Sequence, residues 1–428
     1  MGEIKPVKNE KIKLWNKNFF LLWQGQLVSV LGDVIYMLAL EFWILDITGS
    51  TGLMGLLSTL TMLPRVILGP FAGVFVDRWN KKKIIVITDF VRGIFVTFVG
   101  VAAIMGFIKV WMVFVVGVIS GICAAFFNPT AMAIKPEIVH ESKLVQANSA
   151  TSLAQSGMSM VGSAIGGVLY VTIGAPYLFL FNGLSYLFSA ITEMFMRIPH
   201  IVNKESKVTF KEDFKEGFKF MWKFKTLRNI FACACMLNFC FCGAMILFKV
   251  YCKEVEFLGI ERFGYLMTLY SVGAILASIL LSVFKIKKEN KFKVYLISLL
   301  FFSANAFLIP LAGSYIMMVV IMFFMAFFMV VFNNLFDSAM ILVIPANKRG
   351  KVSAIAGTLS MGLAPLGTLI GGVLGEFMSA GYAMAILFTI GCVFTIGCGL
   401  IKGSKKMIEY EGEECSIEEL IIQTNNMH

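Results

Sequence analysis

GMSMVGSAIGGVL at residues 157–169 returns as GLAPLGTLIGGVL at residues 362–374. Gly157, Gly162, Gly166 and Gly167, followed by Val168 and Leu169, match Gly362, Gly367, Gly371 and Gly372, followed by Val373 and Leu374, at a constant offset of 205. A weaker echo upstream sets Ala131, Met132 and Pro136 against Ala339, Met340 and Pro345. Glycines at these intervals let helices pack closely. Their return after about half the chain divides the sequence into two related halves. Parallel repeats of this kind place a transport path between the halves, near the bilayer midplane.

The 428 residues around this repeat are 58% hydrophobic and 15% charged. Their mean hydropathy of +0.82 lies far outside the range of soluble domains. Twelve apolar runs recur, each long enough to cross a hydrocarbon core about 30 Å thick. The first six are Phe19 to Leu45, Leu53 to Val76, Ile84 to Phe107, Val110 to Ala133, Leu153 to Ile173 and Tyr177 to Met196. The second six are Ile230 to Val250, Phe263 to Phe284, Val294 to Leu311, Tyr315 to Ile344, Val352 to Phe377 and Tyr382 to Ile401. The runs are continuously apolar rather than alternating, and in lipid each must satisfy its own backbone polar groups, so they read as helices and not barrel strands. The fold class is an all-α membrane protein with 12 transmembrane helices in two six-helix bundles related by a pseudo-twofold repeat.

Lys and Arg gather in alternate short loops, which cells keep on the cytoplasmic side. Lys5, Lys8, Lys11, Lys13 and Lys17 precede run 1; Arg78, Lys81, Lys82 and Lys83 follow run 2; Lys135 and Lys143 follow run 4. Lys285, Lys287, Lys288, Lys291 and Lys293 follow run 8, and Lys348, Arg349 and Lys351 follow run 10. The intervening loops carry Lys109, Lys253 and Arg262 as their main basic residues. Both termini are expected in the cytoplasm and the chain in the cell membrane. The basic N-terminus leads into a run longer than a signal h-region, with no small-residue cleavage site, so it is expected to stay attached. This topology accounts for the net charge of +11, and no nucleic-acid partner is expected.

Residues 1–198 form the first bundle on this reading, 199–228 a cytoplasmic linker, 229–402 the second bundle and 403–428 an acidic cytoplasmic tail. In the linker, Phe210, Phe214, Phe218, Met221 and Trp222 recur at three- or four-residue intervals among Lys and Glu. An amphipathic helix on the inner leaflet has this pattern, and so does one packed beneath the bundle. The tail, with Glu409, Glu411, Glu413, Glu414, Glu418 and Glu419, reads as solvated and in part helical.

Ionisable groups within the apolar runs are costly and need a partner or a wet cavity. Asp33 lies near the middle of run 1 and Arg65 near the middle of run 2, where they can form an ion pair, structural or functional. Glu41, at i+8 from Asp33, can face the same side of its helix. Burial disfavours the charged carboxylate, which suits proton uptake and release. Glu41 with Asp33 is therefore expected to carry a proton or attract a cationic compound. Asp337, beside Asn333 and Asn334, is a further candidate for lining the path. Lys249 falls near the outer end of run 7, and Glu193 with Arg197 is spaced i, i+4 as a local pair. The many Phe and Met residues suit an adaptable pocket as well as lipid contact.

The loop after run 2 reads Gly73-Val74-Phe75-Val76-Asp77-Arg78-Trp79-Asn80-Lys81-Lys82. It resembles the signature loop of the major facilitator superfamily, a Gly followed four residues later by Asp-Arg, then Gly or Asn and two basic residues. The resemblance implies the major facilitator fold, with Gly73, Asp77, Arg78 and Lys81 in a conformational latch and Arg92 as the partner of Asp77. Gly157, Gly162, Gly166 and Gly167 resemble the glycine-rich motif of the superfamily's drug/proton antiporters, with Ser163 where that motif has proline. Run 4 lacks the membrane Arg of many proton-coupled members. Trp23, Gly25, Gln26, Ser29, Gly32 and Asp33, then Leu45, Thr48, Gly49 and Ser50, look like the macrolide-efflux branch. That branch also includes members with other cargos, siderophores among them.

These readings converge on proton-coupled export of a small hydrophobic compound by alternating access. A metabolite, siderophore or lipid transporter is the alternative. No Walker A spacing is present, which argues against an ATP-driven pump within the chain. No cluster of His, Asp, Glu and Ser suits a membrane enzyme, and a receptor needs no twofold repeat. Cys233, Cys235, Cys240 and Cys242 cluster in run 7, but i and i+2 side chains on a helix diverge by about 200°, so no metal site is expected. The expected partners are a small-molecule substrate, protons and the lipid bilayer, with no cofactor, and the chain is expected to be a monomer.

Overall fold

The apolar runs fold as helices, which satisfy their backbone polar groups internally, and several have capped ends. Asn16 accepts a hydrogen bond from the Phe19 amide (2.9 Å) and opens α1 (Lys17–Thr48). Gly49 closes it with a left-handed φ of +67° and an amide bond to the Leu45 carbonyl (2.9 Å). Ser50 at once caps α2 (Thr51–Arg78) by accepting from the Leu53 amide (3.0 Å). The structure, a computed structural model, describes residues 14–198, 210–345, 352, 355, 357, 361–412 and 416–427, without the side chains at 70, 73, 74, 77, 78 and 210–214.

The first half continues with α3 (Lys81–Ile104), α4 (Val110–Ile138), α5 (Leu144–Ile173) and α6 (Ala175–Met194). The linker contributes α7 (Phe210–Lys223). The second half holds α8 (Lys225–Glu254), α9 (Ile260–Val283), α10 (Lys288–Leu308), α11 (Tyr315–Val343), α12 (Ala364–Phe377) and α13 (Ala380–Leu400). Short helices α14 (Ser404–Ile408) and α15 (Ile417–Asn425) follow. Ten described helices are long and apolar enough to cross a membrane. The two runs outside that group are α6 and the eleventh, where α12 is preceded by helical residues at 352, 355, 357 and 361.

Packing repeats between the halves. α1 lies against α5 and α6, as α8 lies against α12 and α13; α2 pairs with α4 as α9 pairs with α11; α3 pairs with α6 as α10 pairs with α13. Between the halves, α5 meets α9 and α2 meets α12. We call the end of the molecule with the turn at Gly49 distal, and the end with Trp15 and the tail proximal. One continuous apolar core joins both halves distally, with Phe42 of α1 edge-on to Phe263 of α9 (centroids 5.8 Å apart). Proximally each half has its own core, one around Phe19, Ile85 and Ile134 and the other around Phe224, Leu227 and Val343. Helix packing in lipid is driven by dispersion and close fit rather than by water exclusion, and among the described residues that fit joins the halves at the distal end.

The linker helix packs beneath the second half: Phe220, Met221 and Phe224 are buried in its proximal core. Phe218 stacks on Trp222, over which the Arg228 guanidinium lies at 4.9 Å. The tail differs from its solvated reading. Its acidic residues conceal an amphipathic α15 whose Leu420 and Ile421 enter the same core, while Asn425 accepts from the Lys225 amide (3.0 Å) and donates to the Lys223 carbonyl (2.9 Å). Lys291 of α10 pairs with Glu411 (2.7 Å) and holds its carboxyl below the usual glutamate range.

Candidate functional site

α1 presents Asp33 and Glu41 to a cavity of about 420 Å³ between the halves, and α2 presents Arg65 to the same space. Three residues singled out from the sequence thus meet at one site. Lys249 of α8 and Tyr186 of α6 also line it, with Tyr36, Thr61, Ser120 and Ser163, among apolar residues that include Met37, Met62, Met267 and Phe263. Lys249 forms an ion pair with Glu41 across the halves, and Ser58 donates to the other Glu41 oxygen (2.9 Å). Asp33 accepts from the Tyr186 hydroxyl and from Asn182 Nδ2 (3.4 Å). Asp33 and Arg65 line the same cavity without forming an ion pair, and Asp33 Oδ1 is held by α6 instead. Two acidic and two basic side chains therefore line one cavity, with Glu41 and Lys249 paired across it.

Distal to the cavity, polar contacts clamp the halves. Asp46 of α1 accepts from Lys253 of α8 and from Tyr170 of α5. Glu376 of α12 accepts from the Ser50 hydroxyl and from the Gly52 amide (2.7 Å), seating a carboxylate on the N-terminus of α2. Thr51 donates to the Gly372 carbonyl (2.8 Å), and the Thr59 and Thr368 hydroxyls are 2.9 Å apart. The bonds from α12 all reach the distal half of α2, between Ser50 and Thr59.

The repeated glycines split by direction. Gly162 and Gly166 face α1, where a Cβ would meet Val34 at 3.1 Å and Leu38 at 3.6 Å respectively. Gly367 and Gly371 face α8, their Cβ positions occupied by the Phe239 and Gly243 carbonyls. Gly167 and Gly372 instead face the opposite half: Gly167 meets the Ile260 carbonyl of α9, and Gly372 the Thr51 carbonyl (2.7 Å) and Gly55 Cα (2.9 Å) of α2. Gly157 and Gly362 have nothing within 4 Å.

Other expectations fall elsewhere. Asp337 is exposed on α11 and does not join the cavity residues; its neighbours Asn334 and Ser338 line a separate proximal cavity of about 440 Å³. Glu193 and Arg197 form no pair, since Glu193 turns inward to Ser189 (3.5 Å) and the Arg197 amide donates to Asn18 Oδ1 (2.9 Å). Lys81 pairs with Glu137 at the end of α4. Arg92 lies 3.7 Å from Asp89, deep in the first half. The side chains of Gly73, Asp77 and Arg78 lie outside the described residues. Tyr186 and Asn182 escaped the reading of single charges. The polar stripe they share with Ser185, Ser189 and Glu193 on an apolar helix was their signal.

The sequence pattern of the Major Facilitator Superfamily matches residues 22–364. Macrolide efflux protein A of Streptococcus pyogenes is 29% identical over 210 residues, 49% of this chain and 52% of its own length. The chain thus spans about half the length of that relative. The uncharacterized MFS-type transporter YfiS of Bacillus subtilis strain 168 is 24% identical over 305 residues, 69% of each chain. Among solved structures, a variant of the nucleoside transporter NupG superposes with a TM-score of 0.70 at 12% identity, covering 88% of this chain and 98% of its own. A bacterial homologue of the iron transporter ferroportin, in an inward-facing state, gives 0.69 at 13% identity over 90% and 99%. At these identities the likeness concerns the fold alone.

Proposed function

Since this chain belongs to the Major Facilitator Superfamily, we propose that it exports a small hydrophobic compound of macrolide type in exchange for protons. The observation that carries this reading is the ion pair between Glu41 and Lys249, which crosses the halves inside the cavity. The basic loops support a cytoplasmic proximal end. With the distal end clamped, the cavity then loads from the cytoplasmic side. A cationic amine on the compound competes with Lys249 for Glu41, and loss of the pair loosens the distal contact. The halves rock, and the cavity opens outward. A proton taken up by Glu41 outside displaces the compound and removes the carboxylate charge, so the empty carrier returns. Release of that proton inside restores the pair with Lys249. Methionine and phenylalanine around the charges fit varied apolar shapes. One chain supplies both halves of the path, so a monomer suffices.

The test is accumulation of radiolabelled erythromycin, a macrolide, in a susceptible bacterial host with and without the protein, before and after a protonophore. Lower accumulation that the protonophore abolishes is the expected result. Equal accumulation for this compound and a panel of hydrophobic antibiotics and dyes would reject drug export and direct the search to a native metabolite.

A further inference from the structure

Asn182, Ser185, Tyr186, Ser189 and Glu193 follow one face of α6 at helical spacing, and all are buried. α1 lies directly on this stripe through its glycines: a Cβ at Gly32 would come within 2.6 Å of Ser185 Oγ, and one at Gly25 within 2.9 Å of Ser189 Oγ. The stripe begins at the cavity, where Tyr186 donates to Asp33. Next along it, the Arg92 guanidinium of α3 sits between the Tyr186 ring (5.2 Å) and the Phe127 ring of α4 (5.3 Å). Asp89 of α3 lies 3.7 Å from Arg92. Ser189 stands beside both Asp89 and Glu193 and donates to Glu193 at 3.5 Å. The titratable groups facing this space are thus Asp33 from α1, Asp89 and Arg92 from α3, Cys123 from α4, and Tyr186 and Glu193 from α6.

Asp89 is 1% exposed and Glu193 0%. Among the described residues, both Asp89 oxygens, Glu193 Oε2, and Arg92 Nε and Nη2 have no hydrogen-bond partner. Buried polar groups left unmatched call for a role, since packing alone would favour apolar residues there. Two carboxyls share one guanidinium. Asp89, the nearer, balances Arg92; a second unpaired carboxylate in a closed apolar space is disfavoured, and such a group takes up a proton instead. Glu193 is the remaining acid.

We propose that Glu193 is a second proton-carrying site, joined to Asp33 by the α6 stripe and releasing its proton at the proximal end. The proposal rests on the proton-coupled reading of the cavity. Tyr186 is bonded to Asp33 at one end of the stripe and Ser189 to Glu193 at the other, so the proton has only the interval between these two hydroxyls to cross, each giving up one proton as it accepts another. Glu193 loses its proton to the cytoplasm as it receives the one from Asp33, while Asp89 stays beside Arg92.

Infrared spectroscopy of the purified protein near neutral pH tests the site without any substrate. The wild-type spectrum should contain a protonated-carboxyl C=O band that Glu193→Gln removes. Asp89→Asn should remove the same band, because the single remaining carboxyl then pairs with Arg92 and ionises. A wild type without the band, or a band that survives Glu193→Gln, overturns the proposal. So does a band that survives Asp89→Asn, which also decides the matter if Glu193→Gln does not fold. In proteoliposomes carrying radiolabelled erythromycin, Glu193→Gln should abolish the dependence of flux on proximal-side pH; an unchanged dependence would also overturn it. A wild type with no proton-dependent flux would refute the coupled reading of the cavity, while the infrared bands still decide whether Glu193 is protonated.

Discussion

Glu41 and Lys249 are 208 residues apart in the chain and bonded in the fold, so neither charge can be altered alone without a consequence for the other. Glu41→Gln keeps a group able to accept from Ser58 and removes the titratable charge. It should leave binding of radiolabelled erythromycin measurable while flattening the pH dependence of its transport. Glu41→Ala goes further and strands Lys249, at a cost of about 2 kcal/mol in stability, the range for an unsatisfied charged group that still reaches cavity water. A lower midpoint of thermal unfolding for Glu41→Ala, recovered in Glu41→Ala/Lys249→Met, would support the pairing, and additive losses would reject it. Asp33, Glu41 and Arg65 were legible because a charge within an apolar run stands out. Tyr186 and Asn182 were not, because an uncharged polar residue has no such contrast. Lys249 was visible, but its partner depended on how α8 meets α1, which no local pattern encodes.

The glycine-rich face of α5 and its counterpart on α12 make two kinds of contact, and the same substitution should act differently on each. Gly371→Val drives a branched side chain into the Gly243 carbonyl of its own half, an overpacking of about 1–3 kcal/mol that should lower the unfolding midpoint. Gly157→Ala enters open space and should leave it unchanged. Gly167→Ala and Gly372→Ala clash only with the opposite half, and the clash vanishes when the distal ends part. A penalty of about 1.4 kcal/mol on one state is a tenfold population shift. Distal single-cysteine labelling by a membrane-impermeant reagent should therefore speed up in both variants, whereas unchanged labelling with a lower unfolding midpoint would make these glycines purely structural. The repeat revealed which helices correspond, and the direction of each glycine needed the packed structure. The tail is a similar case, since its glutamates masked Leu420 and Ile421. Lys291 lowers the Glu411 carboxyl in the folded state, so the tether contributes at pH above the ordinary glutamate value of about 4.3 and is lost as pH falls through the lowered one. Protection of the amides in the Ile417–Asn425 helix, corrected for the intrinsic exchange rate at each pH, should hold at pH 6 and fall in acid below the lowered value. Protection that already falls between pH 7 and pH 5 would contradict this.

The whole molecule is two bundles that share one core at the distal end and hold separate cores at the proximal end. Length, hydropathy and the repeat were enough to expect two bundles with a path between them, because each rests on local composition. Which end is closed was not readable, since it depends on contacts such as those from Glu376 to α2 and from Asp46 to Lys253, made between residues far apart in the chain. Glu376→Gln with Asp46→Asn should weaken the distal clamp together, more than either alone, and bring distal spin labels to longer separations. Equal distances in the double variant and the wild type would remove these carboxylates from the account. The central claim, that proton movement through the charged cavity drives export, is tested most directly in proteoliposomes of the purified wild-type protein. Flux of radiolabelled erythromycin would be measured across an imposed pH gradient, at zero gradient and with the gradient reversed. Flux that follows the gradient in size and reverses with it is the predicted result; flux that is the same in all three conditions would contradict the account.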